Sequence, residues 1–192
     1  MNERFTGLLL FLLLSFPGFG QSPFSRVNHY EELNGMIITD LLADRNGEIW
    51  ITTFSGLLTF DGYEFQNFYP DSRDSTTIDD LLLYSLEEGK DGDIWIGSMN
   101  QIYRHDHFSG TFRNYPLEDY IPYPVNGQPM VGNIISDQRG TLYFGVVSGT
   151  GYNEHPGLLK YSESEEAFEV VTLPTGEPVQ NVYSMDSNGD GE

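Results

Sequence analysis

Asp186-Ser187-Asn188-Gly189-Asp190-Gly191 has the D-x-N-x-D-G spacing with which a calcium loop opens, alternate oxygen ligands around a glycine turn suiting a hard cation. The closing bidentate acid is missing, and a strand pattern precedes the loop where the motif wants a helix. The equivalent turns DRNG, GKDG and DQRG do not repeat the ligands, so the segment reads as a hairpin turn and no metal is expected. His105 and His107 are two apart and would share one face of a strand, a beginning for metal ligation. His105 falls where Phe60 and Tyr161 stand in sister segments, so a packed aromatic is the expectation, with His107 in the turn beyond. Trp50 and Trp95 could stack on sugar rings, but their identical place in a repeat assigns them to packing between units. There is no cysteine and no serine in a strand–turn–helix elbow, so nucleophilic catalysis has no candidate. The acids between Asp71 and Asp93 fall in turns and connections and read as solvated loops. No catalytic residue and no cofactor is expected.

Binding is better provided for. Three segments are long, Tyr69–Asp80, Pro116–Met130 and Val147–Pro156, and the last two combine rings with amides. They supply the candidate ligand residues Tyr120, Tyr123, Asn126, Tyr152, Asn153 and His155, with Gln128 beside them. Stacking rings and bidentate amides suit neutral or cationic sugars, and loops on a rigid scaffold are where binding usually resides. An oligosaccharide is the expected ligand.

The elements that position these loops follow from a repeat. YSLEEGKDGD (Tyr84–Asp93) returns as YSMDSNGDGE (Tyr183–Glu192), and ITDLLADRNGEIWITT (Ile38–Thr53) aligns without a gap on LYSLEEGKDGDIWIGS (Leu83–Ser98). VGNIISDQRGTLYFGV (Val131–Val146) is a more divergent third copy. Gly47, Gly92, Gly140 and Gly191 are 45, 48 and 51 residues apart, a period that means propeller blades when strands fill every unit. In each unit strand a ends near Leu42, Glu87 or Ile135, and a glycine turn follows. Strand b alternates around Trp50, Trp95 or Tyr143. Strand c is Leu57–Asp61, Ile102–Asp106 or Leu158–Ser162, and strand d is Phe65–Phe68, Phe112–Tyr115 or Phe168–Val171. With strand order a-b-c-d, the b–c loops and d–a connections share one face, where the long segments are expected, and the a–b and c–d turns share the other.

The expected fold class is all-β: a β-propeller of four-stranded antiparallel blades, incomplete, with three blades plus the start of a fourth. The organisation reads as a signal peptide over 1–20, a strand closing the last blade of the ring over 21–35, and blades over 36–68, 81–115 and 131–171. A truncated fourth blade follows over 179–192. The closing strand rests on Phe24–Tyr30, which reads like strand d with no strands a–c before it. The signal rests on the apolar stretch Phe5–Phe16 behind Arg4 and on small residues that set cleavage between Gly20 and Gln21. Because the last hairpin stops half-made at Glu192, the chain reads as a fragment, expected to be unstable alone.

Composition agrees. The 192 residues carry 29 acidic against 9 basic side chains, a net charge of -20, and that field repels nucleic acid and anionic membranes. Aromatics at 14% with 21 glycines and 10 prolines suit many short strands rather than a helical bundle.

The pattern Gly47-Glu48-Ile49-Trp50-Ile51-Thr52-Thr53, Gly56-Leu57, Phe60-Asp61-Gly62, returning as Gly92-Asp93-Ile94-Trp95-Ile96-Gly97, resembles the two-component regulator propeller repeat. The third copy departs from it, with Tyr143 for Trp and eight extra residues between strands b and c. The resemblance implies the periplasmic sensor region of a hybrid histidine kinase of the Bacteroidetes type, detecting polysaccharide fragments. It also implies that the remaining blades, a membrane span and the kinase region lie downstream in the same chain, with homodimerisation of the full-length receptor as a further option. A secreted lyase-like propeller enzyme and a surface scaffold or adhesion propeller are the alternatives.

Overall fold

The computed structural model describes residues 31–71, 73–121, 128–148, 157–180 and 182–186. Three antiparallel sheets of four strands account for nearly all of the regular structure. The first holds β1 (Ile38–Ala43), β2 (Ile49–Thr53), β3 (Gly56–Phe60) and β4 (Phe65–Phe68). The second holds β5 (Leu83–Glu88), β6 (Ile94–Ser98), β7 (Gln101–His105) and β8 (Phe112–Pro116). The third holds β9 (Pro129–Ser136), β10 (Leu142–Ser148), β11 (Leu158–Ser162) and β12 (Ala167–Val170). Strands pair in chain order in every sheet, each sheet being a meander, and the only helical element among the described residues is a 3-10 turn, Leu117–Asp119. These sheets are three blades of a β-propeller.

The innermost strands lie side by side, β1 on β5 and β5 on β9, while the outer strands splay apart. Side chains bind the inner strands to one another across each junction. Thr39 Oγ1 donates to the Leu83 carbonyl at 2.8 Å, Leu86 N donates to Asp40 Oδ2 at 2.9 Å, and Ser85 Oγ donates to the Val131 carbonyl at 3.0 Å. Asn133 Nδ2 continues the series with the Tyr183 carbonyl at 2.8 Å. Each inner strand is irregular just before its bonding residue. The pairing slips between Ile38 and Asp40 in β1, between Leu83 and Ser85 in β5, and opposite the Gly145–Val146 step in β9. A bulge re-aims the following side chain, here out of its own sheet and toward the next blade.

Two apolar layers fill the junctions. Trp50, Phe68 and Leu57 of the first blade meet Leu83, Ile96, Tyr103 and Phe112 of the second. Trp95, Ile102 and Tyr115 of the second meet Phe144, Leu159, Tyr161 and Phe168 of the third. Trp50 and Trp95 are 4% and 1% exposed, so both tryptophans are packing residues. His105 also takes the aromatic position expected of it, 4.9 Å from the Trp50 ring and 4.8 Å from Phe112 between centroids.

One expectation needs correcting. The Tyr69–Asp80 connection does not stay on the b–c face: the Thr76 carbonyl accepts from Phe112 N at 2.8 Å, and Ile78 is 1% exposed in the layer with Trp50 and Phe112. The splay of β4 from β8 leaves a wedge that apolar side chains must fill, and this connection fills it. Residues 182–186, the described part of the expected start of a fourth blade beyond position 181, make no strand pairing with other described residues. That segment nevertheless lies against the third blade, Val182 N donating to the Val146 carbonyl at 3.3 Å. Of the closing segment over 21–35, residues 31–35 form turns and 21–30 lie outside the described residues, as do the signal segment and its Gly20–Gln21 junction.

Candidate ligand-binding face

At the b–c end, the b–c turns of the first and second blades are each pinned to the start of an inner strand. Phe54 N donates to the Ile37 carbonyl at 3.1 Å, and Met99 N, at the equivalent place in the second blade, donates to the Leu82 carbonyl at 3.3 Å. The first of these turns is tight. Thr53 Oγ1 donates to the Gly56 carbonyl and accepts from Ser55 N, both at 2.9 Å, and Gly56 takes a φ of 119°, which a side chain rarely adopts. The turn leaves Phe54 nowhere to go but outward, and its ring is 40% exposed.

Phe54 meets Tyr84 edge-on, with centroids 5.6 Å apart and planes at 66°. Tyr84 is the bulged residue of β5, and the bulge turns it from its own sheet toward the first blade. Apolar contact continues around the inner rim: Ile37 is 59% exposed beside Phe54, Leu81 lies over Gly56, and Met99 bridges to Met130 at the start of β9. Exposed Ile37, Phe54, Leu81 and Leu82 thus form an apolar patch at the first junction, with half-buried Met99 and Met130 continuing it toward the third blade.

Carboxylates rim the patch. Asp80 Oδ1 accepts from Leu82 N at 3.0 Å, and partial burial together with the Asp80 charge holds the Tyr84 hydroxyl above its ordinary pKa. Asp79 accepts a hydrogen bond from the Tyr103 hydroxyl, which burial and this carboxylate keep protonated. Tyr103 is fully buried in the first junction, so Asp79 ties the rim to the core beneath it.

Of the residues expected from sequence to bind ligand, Tyr120 is described. It follows the 3-10 turn, is half-buried and stands edge-on to Phe168 at 5.0 Å, in the wedge between the second and third blades. Tyr123, Asn126, Tyr152, Asn153 and His155 lie outside the described residues. The aromatic pair itself escaped the sequence reading, which looked for binding in long loops. The usable signal was comparison among the repeats: Phe54 faces Met99, and Tyr84 faces Thr39 and Gly132, so chemistry varies at these positions while the frame around them does not.

The opposite face does structural work. Asp93, 3% exposed at its side chain, accepts from Arg104 Nε at 2.5 Å and lies 2.7 Å from His107 Nδ1, while Arg104 Nη2 reaches Asp91 at 2.8 Å. Burial raises the Asp93 carboxyl, but its bonds to His107 and Arg104 outweigh that and hold it below its ordinary value. Arg45 pairs with Glu88 across the first junction, and Lys90 with Glu163 at 2.9 Å across the second. Among the described residues, no group of three or more His, Asp or Glu is arranged to hold a metal.

Residues 32–55, the a and b strands of the first blade with the turn before them, match the model of the two component regulator propeller. The extracellular domain assigned to the hybrid two-component system BT3049 of B. thetaiotaomicron superimposes with a TM-score of 0.56 at 17% identity, over 79% of this chain and 20% of that one. The corresponding domain of BT4673 from the same organism gives a TM-score of 0.40 at 19% identity, over 72% of this chain and 22% of the other. A Bacteroides caccae protein of unknown function gives 0.47 at 16% identity, over 74% of this chain and 47% of the other. The first likeness confirms the propeller fold. The chain spans about a fifth of the length of the two extracellular domains it resembles. Among curated proteins, none matches the sequence.

Proposed function

We propose that this chain is the N-terminal part of an exported, ligand-sensing propeller of a hybrid two-component receptor, and that its ligand is a glycan fragment bound on the b–c face. The Phe54–Tyr84 pair, Phe54 exposed and Tyr84 half-buried, carries the reading. Monomeric soluble proteins seldom leave contiguous apolar surface in water without a binding role, and aromatic faces rimmed by hydrogen-bonding groups suit the C–H faces of sugar rings. The repeat and the fold of an extracellular receptor domain agree with that role. In this reading the segment performs no catalysis, Phe24–Tyr30 closes the ring with blades supplied downstream, and the kinase lies beyond a membrane span. Calorimetry of the full-length protein against cello-, manno- and xylo-hexaose tests it. Phe54→Ala and Tyr84→Ala are expected to weaken binding at least about tenfold, the loss of one stacking partner of 1.4 kcal/mol or more, without moving the melting temperature. Binding unchanged in both variants would refute the site.

A further inference from the structure

We propose that the b–c face selects its ligand by charge: it accepts neutral or amino sugars and rejects chains bearing uronate or sulfate. This deepens the sugar-binding reading and rests on it. The observation is where the cations lie. Among the described residues, the connections at this end contribute Asp79, Asp80, Glu118 and Asp119 and no lysine or arginine. Arg45, Lys90 and Arg139 belong to the a–b turns at the far end, Arg104 is held there by Asp91 and Asp93, Arg113 pairs with Glu166 of the c–d turn at 2.6 Å, and Lys160 stands within β11.

An anionic glycan needs lysine or arginine to replace the water and counterions it sheds on binding, arginine being the residue that matches carboxylate or sulfate oxygens two at a time. Among the described residues this face offers none, and Asp80 stands beside the aromatic pair. Approach of a polyanion is therefore repelled at short range, inside the Debye length of about 8 Å at physiological salt. A neutral sugar meets rings for stacking and carboxylates that accept from its hydroxyls. An ammonium group on the sugar adds a favourable charge.

The test is calorimetry of the full-length protein with three probe sets: cello-, manno- and xylo-hexaose as neutral chains, chitosan oligomers as cationic ones, and oligogalacturonate and sulfated oligosaccharides as anionic ones, each at low and physiological salt. The expected result is binding within the neutral or cationic sets and at least about a hundredfold weaker binding by every anionic probe. Binding of a chitosan oligomer is expected to weaken as salt rises and that of a neutral chain to stay level. Asp80→Lys, and independently Glu118→Lys, should raise oligogalacturonate affinity. An anionic probe that binds tightest, and loses its binding in Phe54→Ala and Tyr84→Ala, would overturn the charge rule and leave the site standing. Failure of all three sets to bind, or binding indifferent to both aromatic substitutions, would overturn the site and this inference with it.

Discussion

Gly97 and Val131 are pressed together so closely that a β-carbon on the glycine would stand 2.5 Å from the Val131 carbonyl oxygen. The same carbon would meet Ser85 Oγ at 2.3 Å, and Ser85 Oγ is the donor to that carbonyl. The glycine is there for space: the third blade's inner strand crosses where any side chain would be. Gly145 stands at the same point of the third blade, its β-position 3.1 Å from the Val182 carbonyl.

Gly97→Ala should therefore push the two blades apart and break the Ser85–Val131 bond. A loss of about 1–3 kcal/mol is expected, the usual range for overpacking. Urea denaturation measures it, and Ser85→Ala alone should lose less, since it removes one bond without adding volume.

Trp95 touches Tyr115, Phe144, Tyr161 and Phe168 at centroid distances between 4.5 and 6.1 Å, and Arg104 lies 5.4 Å over its ring. Trp95→Ala should cost about 3–5 kcal/mol, because rigid sheets cannot close over the cavity. Trp95→Phe should cost distinctly less. Loss of tryptophan fluorescence in either variant leaves Trp50 as the remaining probe, so circular dichroism is the better readout.

His105 is an aromatic in the right place with one atom too polar. Its Nδ1 is buried without a hydrogen-bond partner, and burial pushes its pKa down despite the charges of Asp93 and Asp106. His105→Phe should stabilise the protein by about 1 kcal/mol at pH 7, by removing a buried unsatisfied atom. A histidine with a depressed pKa in the folded state contributes stability above its unfolded pKa of about 6.5 and loses it as pH falls toward the folded value. The advantage of the phenylalanine variant should accordingly widen below about pH 6.5. A gap that stays constant from pH 8 to pH 5 would contradict the assignment.

Glu87 behaves in the opposite sense. It lies in the inner-strand junction, accepting from Ser136 Oγ at 2.6 Å, and burial holds its carboxyl above the ordinary value, the Ser136 bonds pulling it back only in part. A carboxyl with a raised folded pKa adds stability as pH falls and subtracts it when ionised. Glu87→Gln keeps an oxygen acceptor for Ser136 and should raise the denaturation midpoint at pH 7. The gain should fade as the medium is acidified toward pH 4, which a series of urea titrations would follow.

The blades were legible in the sequence because they obey two simple periods. Alternation around Trp50, Trp95 and Tyr143 marks the b strands, and the glycines at 47, 92 and 140, all at positive φ, mark the turns that follow the a strands. Ile78 was not legible. It stands in a polar stretch with no period, and only the wedge between outer strands, a property of two blades together, explains its burial. Tyr84 was hidden for a related reason. Alternation along β5 predicts its direction wrongly by one residue, because the bulge between Leu83 and Ser85 shifts the phase. Long loops drew attention away from the two-residue turn that presents Phe54.

The bonds from Thr39 to Leu83, from Ser85 to Val131 and from Asn133 to Tyr183 all run forward along the chain, each donor preceding its acceptor by 44 to 50 residues. For a polypeptide made from its N-terminus, every blade emerges with its donor ready and its acceptor still unmade. At about 5–20 residues per second the wait is roughly 2–10 seconds per blade. Over that interval the donor depends on water, and the newest blade is the one most open to capture by a chaperone or a protease. Assembly is thus paced by synthesis, and a pause placed a blade's length after any donor would prolong its exposure while leaving the finished ring the same.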